Sequence, residues 1–446
     1  MSQRADLDTV IDSARLGPFQ ISVIALCALV AMIDGFDTQV IGLVAPAIAG
    51  DWKISPAMFG PVFGAALFSG MIGAFLFGQA GDRWGRKPVL IAATLIFALG
   101  SLATPLAHTV PDLIVVRLIT GFGLGGALPI IIAIAAEFSP KRYRTNIVAM
   151  MFCGFPLGSA IGGVISAQLI PAYGWESLFY IGGLFPLALL PVFIALVPES
   201  ARFLAIRNKT AAVERVFQKM GCQIAWDGKI ALGEHAGAAS VAGLFTGGRA
   251  ARTLLIWFAL FCSLLLTVFL VSWLPLLARQ AGLGLKSAVL AVTALNLGGI
   301  VGGIALGRIS DRLASAKPIA AAYVLGAVAI SLIGVVGQSS HLLLAITFVA
   351  GLFTVGAQMC AIALSSQLYE TALRSTGVGW AFGVGRIGAV VGPILGGLLI
   401  GAHVPIPALF MVAGVVALGA ALAVFALSPM VFARVQPGAQ AKPPGA

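Results

Sequence analysis

The feature that most constrains this chain is a series of apolar stretches, each about 20 residues long, the length that a helix needs to cross a bilayer. Six begin near Phe19, Met58, Pro88, Pro111, Asn146 and Ser177, and six near Thr253, Ser287, Pro318, Leu342, Gly377 and Ala408. Only 10% of the residues are charged and 59% are hydrophobic, which excludes a soluble domain, where about a quarter of the residues are charged. We therefore predict an all-α integral membrane protein with 12 transmembrane helices.

One long polar stretch separates the two sets of apolar runs, and its segment TAAVERVFQKMG predicts a surface helix. The predicted division of the chain is an N-terminal segment at 1–18, a six-helix half at 19–197, a linker at 198–252, a second six-helix half at 253–428 and a disordered tail at 429–446.

The placement of the basic residues predicts the orientation of the helices. If the N-terminus is cytoplasmic, 22 of the 27 Lys and Arg residues fall on the cytoplasmic side, and only Lys53, Arg279 and Lys286 lie in outer loops. Cytoplasmic loops of membrane proteins carry an excess of Lys and Arg, so both termini are predicted to be cytoplasmic. The same distribution accounts for the net charge of +11 without a nucleic-acid partner.

An internal repeat supports the division into two halves. The pattern Gly78-x-x-x-Asp82-Arg83 recurs 229 residues later as Gly307-x-x-x-Asp311-Arg312, and Gly158-x-x-x-Gly162 recurs 230 residues later as Gly388-x-x-x-Gly392. Two parallel halves with one spacing are typical of a duplicated transporter.

Several motifs resemble those of the major facilitator superfamily over nearly the whole chain. They are the run from Gly78 to Pro88, Arg117-Leu-Ile-Thr-Gly121, the linker segment Pro198-Glu199-Ser200-Ala-Arg202, and Tyr369-Glu370-x-x-x-Arg374. The loop that begins at Asp311 is a partial copy of the first motif. The resemblance implies the fold of that superfamily and transport by alternating access.

Two further motifs resemble the aromatic acid/proton symporters within that superfamily. One is Asp34-Gly35-Phe36-Asp37, followed by Gly42 and Ala45-Pro46, and the other is Gly385-Arg386-x-Gly388-x-x-x-Gly392-Pro393. This resemblance implies a small aromatic carboxylate as substrate, such as 4-hydroxybenzoate, protocatechuate or benzoate, and a bacterial-type inner membrane as the location.

Ionisable groups inside a span are costly, so each is a candidate for function. At ~1.5 Å per residue, Asp34 in the first span and Arg117 in the fourth lie at similar depths, and Asp37 lies one turn further out. We expect Asp34 to face Arg117, with Asp34, Asp37 and Arg117 forming the proton-coupling site. The alternative is a static buried ion pair that only fixes helix packing.

Arg386 is predicted near the middle of the eleventh span, where the second half supplies no acidic residue at the same depth. A guanidinium offers a planar two-donor fork that suits a carboxylate, so we expect Arg386 to bind the substrate carboxylate. The alternative is that Arg386 pairs with the acids of the first half across the central cavity.

An aromatic substrate also needs a flat apolar clamp and partners for ring hydroxyls. Candidates for the clamp are Phe36, Phe155, Trp273, Trp380 and Phe382, and candidates for the hydroxyls are Asn296 and Gln358. The alternative for each aromatic residue is a lipid-facing or packing role.

The superfamily resemblance implies that charged residues at the inner helix ends form ion-pair latches that close the inner gate. These residues are Asp82, Arg83, Arg86, Glu137, Arg144, Asp311, Arg312, Glu370 and Arg374. Their alternative role is to determine topology.

A monoanion that enters a negative cell moves uphill by about 2.3 kcal/mol per 100 mV, so an importer of acids benefits from a co-transported proton. The predicted function is therefore proton-coupled import of a small aromatic carboxylate. Alternatives are a proton-coupled exporter of drugs or organic acids, an importer of a non-aromatic acid such as cis,cis-muconate, a transporter-like sensor and, least favoured, a membrane enzyme. Expected partners are the substrate, protons and the lipid bilayer; neither a cofactor nor a metal is expected, and the protein is expected to be monomeric.

Overall fold

The computed structural model describes residues 16–221, 241–313, 315–335 and 339–432. It is helical throughout these ranges. Fifteen α-helices, numbered here in chain order, are α1 Pro18–Trp52, α2 Phe59–Trp84, α3 Arg86–Ala103, α4 Val110–Glu137, α5 Lys141–Phe152, α6 Gly154–Tyr173, α7 Glu176–Leu196, α8 Ala201–Ile206, α9 Thr210–Lys219, α10 Ala250–Gln280, α11 Leu285–Leu313, α12 Lys317–Ile333, α13 Ser340–Gln367, α14 Thr371–Gly401 and α15 Ile406–Phe432.

Eleven of the apolar segments in the described ranges are long enough to cross a membrane, which confirms a multi-pass helical membrane protein. The predicted span near Pro318 is α12, an apolar helix of only 17 residues, or about 25 Å at 1.5 Å per residue. A twelfth crossing and cytoplasmic termini stay predictions. The predicted N-terminal segment, disordered tail and central part of the linker fall largely outside the described residues.

Local sequence signals set the helix ends. Thr109 and Asp112 form a capping box at the start of α4, in which the Asp112 backbone N–H donates to Thr109 Oγ1 at 3.3 Å and the Thr109 N–H donates to Asp112 Oδ2 at 3.1 Å. Gly85 separates α2 from α3 with a φ of 104°, a conformation that favours glycine. The predicted surface helix is α9, which buries Val213, Val216 and Phe217 against the first set of helices.

The packing partners repeat along the chain. In the first set α1 packs on α6, α2 on α4 and α3 on α7, and in the second set α10 packs on α14, α11 on α13 and α12 on α15. Each pairing in the first set therefore has its counterpart in the second, as expected of a duplicated architecture.

The two sets meet through α1 with α10, α2 with α14 and α6 with α11. Glycines permit the closest approach: a Cβ on Gly60 would lie 3.1 Å from Gly397 Cα, and a Cβ on Gly42 would lie 2.9 Å from the Val271 carbonyl oxygen. We call Gly42, Gly60 and Gly397 the glycine seam. All three belong to the parts of their helices that the topology prediction places on the outer side.

The inner parts of the same helices are spaced differently. At Gly78 in α2, Gly307 in α11, and Gly379 and Gly383 in α14, a Cβ would meet none of the described atoms within 4 Å. The two sets of helices are therefore in contact at the glycine seam and leave room towards the predicted inner side.

Candidate functional site

A buried ion pair joins α1 to α4. Arg117 Nη1 lies 3.7 Å from Asp37 Oδ2, and the two residues are 1% and 0% exposed. The Ser101 hydroxyl of α3 donates to Asp37 Oδ1 at 2.8 Å. Asp37 is thus held by one cation and one hydroxyl, both from the first set of helices.

Hydroxyl groups also hold the Arg117 guanidinium. Its Nη2 donates to Thr104 Oγ1 at 2.6 Å and to Thr120 Oγ1 at 3.4 Å. The guanidinium carbon lies 4.9 Å from the centre of the Phe179 ring of α7, a cation–π distance. Arg117 is therefore fixed by four neighbours within one half of the molecule.

Asp34 has a different environment and does not pair with Arg117, so that expectation is wrong. Asp34 is 3% exposed, and its Oδ1 accepts from the Thr38 hydroxyl at 3.2 Å. Its Oδ2 is buried with no hydrogen-bond partner in the described part of the chain. Asp34 and Asp37 lie one helical turn apart. The depth of a residue along its span does not show in which direction the side chain points, so it could not decide which of the two acids meets Arg117.

The cation that acts on Asp34 is Arg386, which belongs to α14 in the second set of helices. Arg386 is partly buried, and its guanidinium carbon lies 5.4 Å from the centre of the Phe382 ring. Arg386 makes no hydrogen bond or direct ion pair with any residue that the structure describes. The sequence offered a second role for Arg386, pairing with an acid of the first half. Arg386 does interact electrostatically with Asp34, but the two side chains form no direct ion pair.

The predicted ring-binding residues fall into two groups. Phe36, Trp273 and Asn296 lie in packed regions near the contact between the halves. Phe36 packs against Gly162, the Trp273 indole N–H donates to the Pro393 carbonyl oxygen at 3.1 Å, and Asn296 is 4% exposed.

Of the remaining candidates, Gln358 is also buried, at 9% exposed, and the other three are partly or largely exposed. Trp380 is 47% exposed and stacks on Trp257 with 6.0 Å between ring centroids. Gln358 accepts a hydrogen bond from Thr267, Phe382 lies beneath Arg386, and Phe155 is partly buried in α6.

Asn296 bonds across the two halves. Its Nδ2 donates to Gln39 Oε1 at 2.9 Å, and Gln39 Nε2 lies 3.4 Å from Asn296 Oδ1. Gln39 was not predicted, although the amides Asn296 and Gln358 were. An amide in an otherwise apolar run is the signal that would have found it, since buried amides need partners.

Among the described residues, two of the ion pairs involve predicted gate residues. Arg86 pairs with Glu137, and Arg249 Nη1 lies 3.6 Å from Glu370 Oε1. The Arg144 Nε–H donates to the Ser139 carbonyl oxygen at 3.3 Å. The exposed members of the set are Asp82, Arg83, Asp311, Arg312 and Glu370; the side chain of Arg374 lies outside the described residues.

Glu199 of the linker was missed as a gate residue. Its Oε1 accepts from the backbone N–H groups of Arg86 at 2.8 Å and Lys87 at 3.3 Å. Those groups are unpaired donors of the first turn of α3, where a carboxylate is favourable. The linker thus binds the N-terminus of α3 through Glu199. Among the described residues, no group of His, Cys, Asp and Glu could hold a metal ion.

Comparisons with known proteins place these features in context. The Major Facilitator Superfamily model matches residues 27–336 and 290–445. The chain is 39% identical over 424 residues to a gallate transporter of Pseudomonas putida, covering 94% of each chain. It is 38% identical over 406 residues to the 4-hydroxybenzoate transporter PcaK of Pseudomonas aeruginosa, covering 90% of each.

A solved structure with a similar fold is the inward-facing, occupied form of a bacterial homologue of the human lysosomal transporter Spinster. The TM-score is 0.73 at 15% identity, and the alignment covers 96% of this chain and 100% of that one.

Proposed function

The chain belongs to the Major Facilitator Superfamily of membrane transporters, and on that premise we propose that it imports a small hydroxylated aromatic carboxylate by proton symport. The observation that carries the proposal is the electrostatic interaction between Asp34 and Arg386, one charge in each half of the molecule. The gallate and 4-hydroxybenzoate transporters among its relatives supply the substrate class.

Arg386 binds the substrate carboxylate in this proposal. A partly buried guanidinium without a direct partner among the described residues has free donors for a carboxylate, and a planar fork binds both oxygens at once. The Phe382 ring packs on one side of the guanidinium, and in this proposal the substrate binds from the other side.

Asp34 carries the coupled proton. While ionised, Asp34 competes with the substrate carboxylate for the field of Arg386; once protonated, it leaves Arg386 to the substrate. Proton and substrate therefore bind with positive cooperativity, which by linkage is reciprocal. One proton per monoanion makes the step electrically neutral, which removes the opposing term of about 2.3 kcal/mol per 100 mV.

Asp37 and Arg117 take a supporting role in the same proposal. Both belong to the first half, so their distance is kept when the two halves move relative to each other. Asp34 and Arg386 belong to different halves, and their interaction changes with that movement. Asp34 is therefore the acid through which protonation controls alternating access.

The proposal includes the arrangement in the membrane. Twelve crossings divide into halves at 19–197 and 253–428 around the linker at 198–252, with both termini cytoplasmic and the monomer in a bacterial inner membrane. The glycine seam closes the outer side, and the spacing at Gly78 and Gly383 supports an inward-facing conformation. Closing the inner side brings the exposed gate residues into contact.

Proteoliposomes test the proposal directly. Uptake of labelled 4-hydroxybenzoate, gallate, benzoate and cis,cis-muconate is measured with and without an inward proton gradient. The expected result is accumulation of the aromatic acids that depends on the gradient. Expulsion of preloaded acid on external acidification indicates exchange instead, and preference for muconate refutes the aromatic substrate class.

A further inference from the structure

We infer that Gln358 recognises a hydrogen-bond acceptor on the substrate ring and that Thr267 is the positioning residue that orients its amide. This inference rests on the proposed function and deepens it, because it assigns the preference for hydroxylated over unsubstituted aromatic acids. The two residues lie on α13 and α10, in the half of the molecule that also carries Arg386.

The contact between the two side chains fixes the direction of the amide. The Thr267 hydroxyl donates to Gln358 Oε1 at 2.5 Å, so the carbonyl end of the amide is occupied. The Nε2 end makes no hydrogen bond with the residues that the structure describes, although the side chain is only 9% exposed. The Nε2 atom keeps access to solvent, so it is a free donor that a ligand can reach.

The level of Gln358 relative to Arg386 suits a bound aromatic acid. Gly385, the residue before Arg386, packs against the Leu264 side chain and the Leu260 backbone of α10, so residues 260–264 mark the level of Arg386. Thr267 is three to seven residues further along α10, or ~4.5 to ~10 Å further towards the outer side at 1.5 Å per residue. A carboxylate on Arg386 with its ring directed outward places the ring substituents near the Gln358 amide.

The chemistry of the free end determines what is recognised. An amide nitrogen donates and does not accept, so the matching group on the ring is an acceptor. A ring hydroxyl oxygen meets this requirement, and the unsubstituted ring of benzoate does not. Binding benzoate would leave the Gln358 donor buried and unpaired, which is the usual basis for rejecting an analogue that lacks a hydroxyl.

The competing explanation is that the Thr267–Gln358 hydrogen bond only ties α10 to α13. A matched control exists on the same helix: the Ser263 hydroxyl and the Tyr323 hydroxyl are 2.7 Å apart and tie α10 to α12. Ser263→Ala removes that bond one helical turn away. A purely structural role predicts similar effects of the Ser263 and Thr267 variants on all substrates.

The experiment compares the KM for 4-hydroxybenzoate with the KM for benzoate in proteoliposomes under an inward proton gradient. Gln358→Leu is expected to raise the KM for 4-hydroxybenzoate about 2- to 12-fold, the range for one hydrogen bond, and to lower the KM for benzoate, because leucine leaves no unpaired donor beside the bare ring. Thr267→Val is expected to change the ratio in the same direction, Thr267→Ser to restore it, and Ser263→Ala to leave it unchanged.

The outcomes separate the two levels of the proposal. If wild-type protein transports both acids and Gln358→Leu changes both KM values equally or neither, the specificity role is wrong and the proposed function stands. If Thr267→Val leaves the ratio at the wild-type value, Thr267 is not a positioning residue. If wild-type protein transports neither acid, the proposed function fails and takes the inference with it.

Discussion

Replacing Asp37 by asparagine removes one charge of the buried pair while keeping the shape of the side chain and an acceptor for Ser101. At the 3.7 Å between Arg117 Nη1 and Asp37 Oδ2, two unit charges attract by about 4.5 kcal/mol at an effective dielectric constant of about 20. Arg117 keeps its bonds to Thr104 and Thr120 but becomes a buried charge without a counterion. We expect Asp37→Asn to destabilise the fold by about 3–5 kcal/mol.

A double-mutant cycle tests this reasoning by thermal or denaturant unfolding of the purified protein in detergent. Adding Arg117→Gln to Asp37→Asn removes the uncompensated charge, so the double variant should be more stable than the sum of the single effects by roughly 1–3 kcal/mol. Asp34→Asn is the matched control, because Asp34 forms no ion pair among the described residues and should cost much less. Wild-type stability of Asp37→Asn, or strict additivity of the two changes, would refute the ion-pair argument.

Three further changes test transport. Asp34→Asn mimics the protonated acid, so it should keep exchange of labelled for unlabelled substrate in counterflow and lose accumulation against a gradient; undiminished accumulation contradicts the proton role. Arg386→Lys replaces the planar fork by a point charge, so we expect uptake to fall by at least about tenfold at normal expression, and retained uptake excludes bidentate binding. Asn296→Ala removes two interhelical contacts with Gln39, each worth about 1 kcal/mol, and should raise the labelling of a cysteine introduced on the outer side of the cavity by an external thiol reagent several-fold; unchanged labelling shows that this pair does not hold the outer side closed.

Most helix starts could be predicted closely because a bilayer requires a long apolar run for every crossing. The predicted starts near Phe19, Pro111 and Pro318 lie one residue from the observed helix starts at Pro18, Val110 and Lys317. The repeated packing likewise follows the repeated motifs. There are two exceptions. The run that begins near Asn146 is divided between α5 and α6, with α6 beginning at Gly154, and α12 has 17 residues, fewer than the ~20 of a typical crossing.

The charged residues of the candidate site could be predicted from the sequence, but the acid that each arginine meets could not. The cost of burying charge identified Asp34, Asp37, Arg117 and Arg386, because few other residues in the spans are ionisable. Which acid meets which arginine depends on the rotation of each helix, and depth along the chain carries no information about rotation. The Gln39 contact with a residue 257 positions away depends further on which side of the transporter is closed.

At the glycine seam the two halves are in contact through backbone atoms. Because Gly60 and Gly397 meet through their Cα atoms, one added methyl group acts as a wedge between α2 and α14, which belong to different halves. Gly397→Ala therefore offers a way to prop the outer vestibule open with a single small side chain far from Arg386. Such a protein would be a suitable immunogen for antibody fragments that bind only the outward-open form and lock the transporter against uptake.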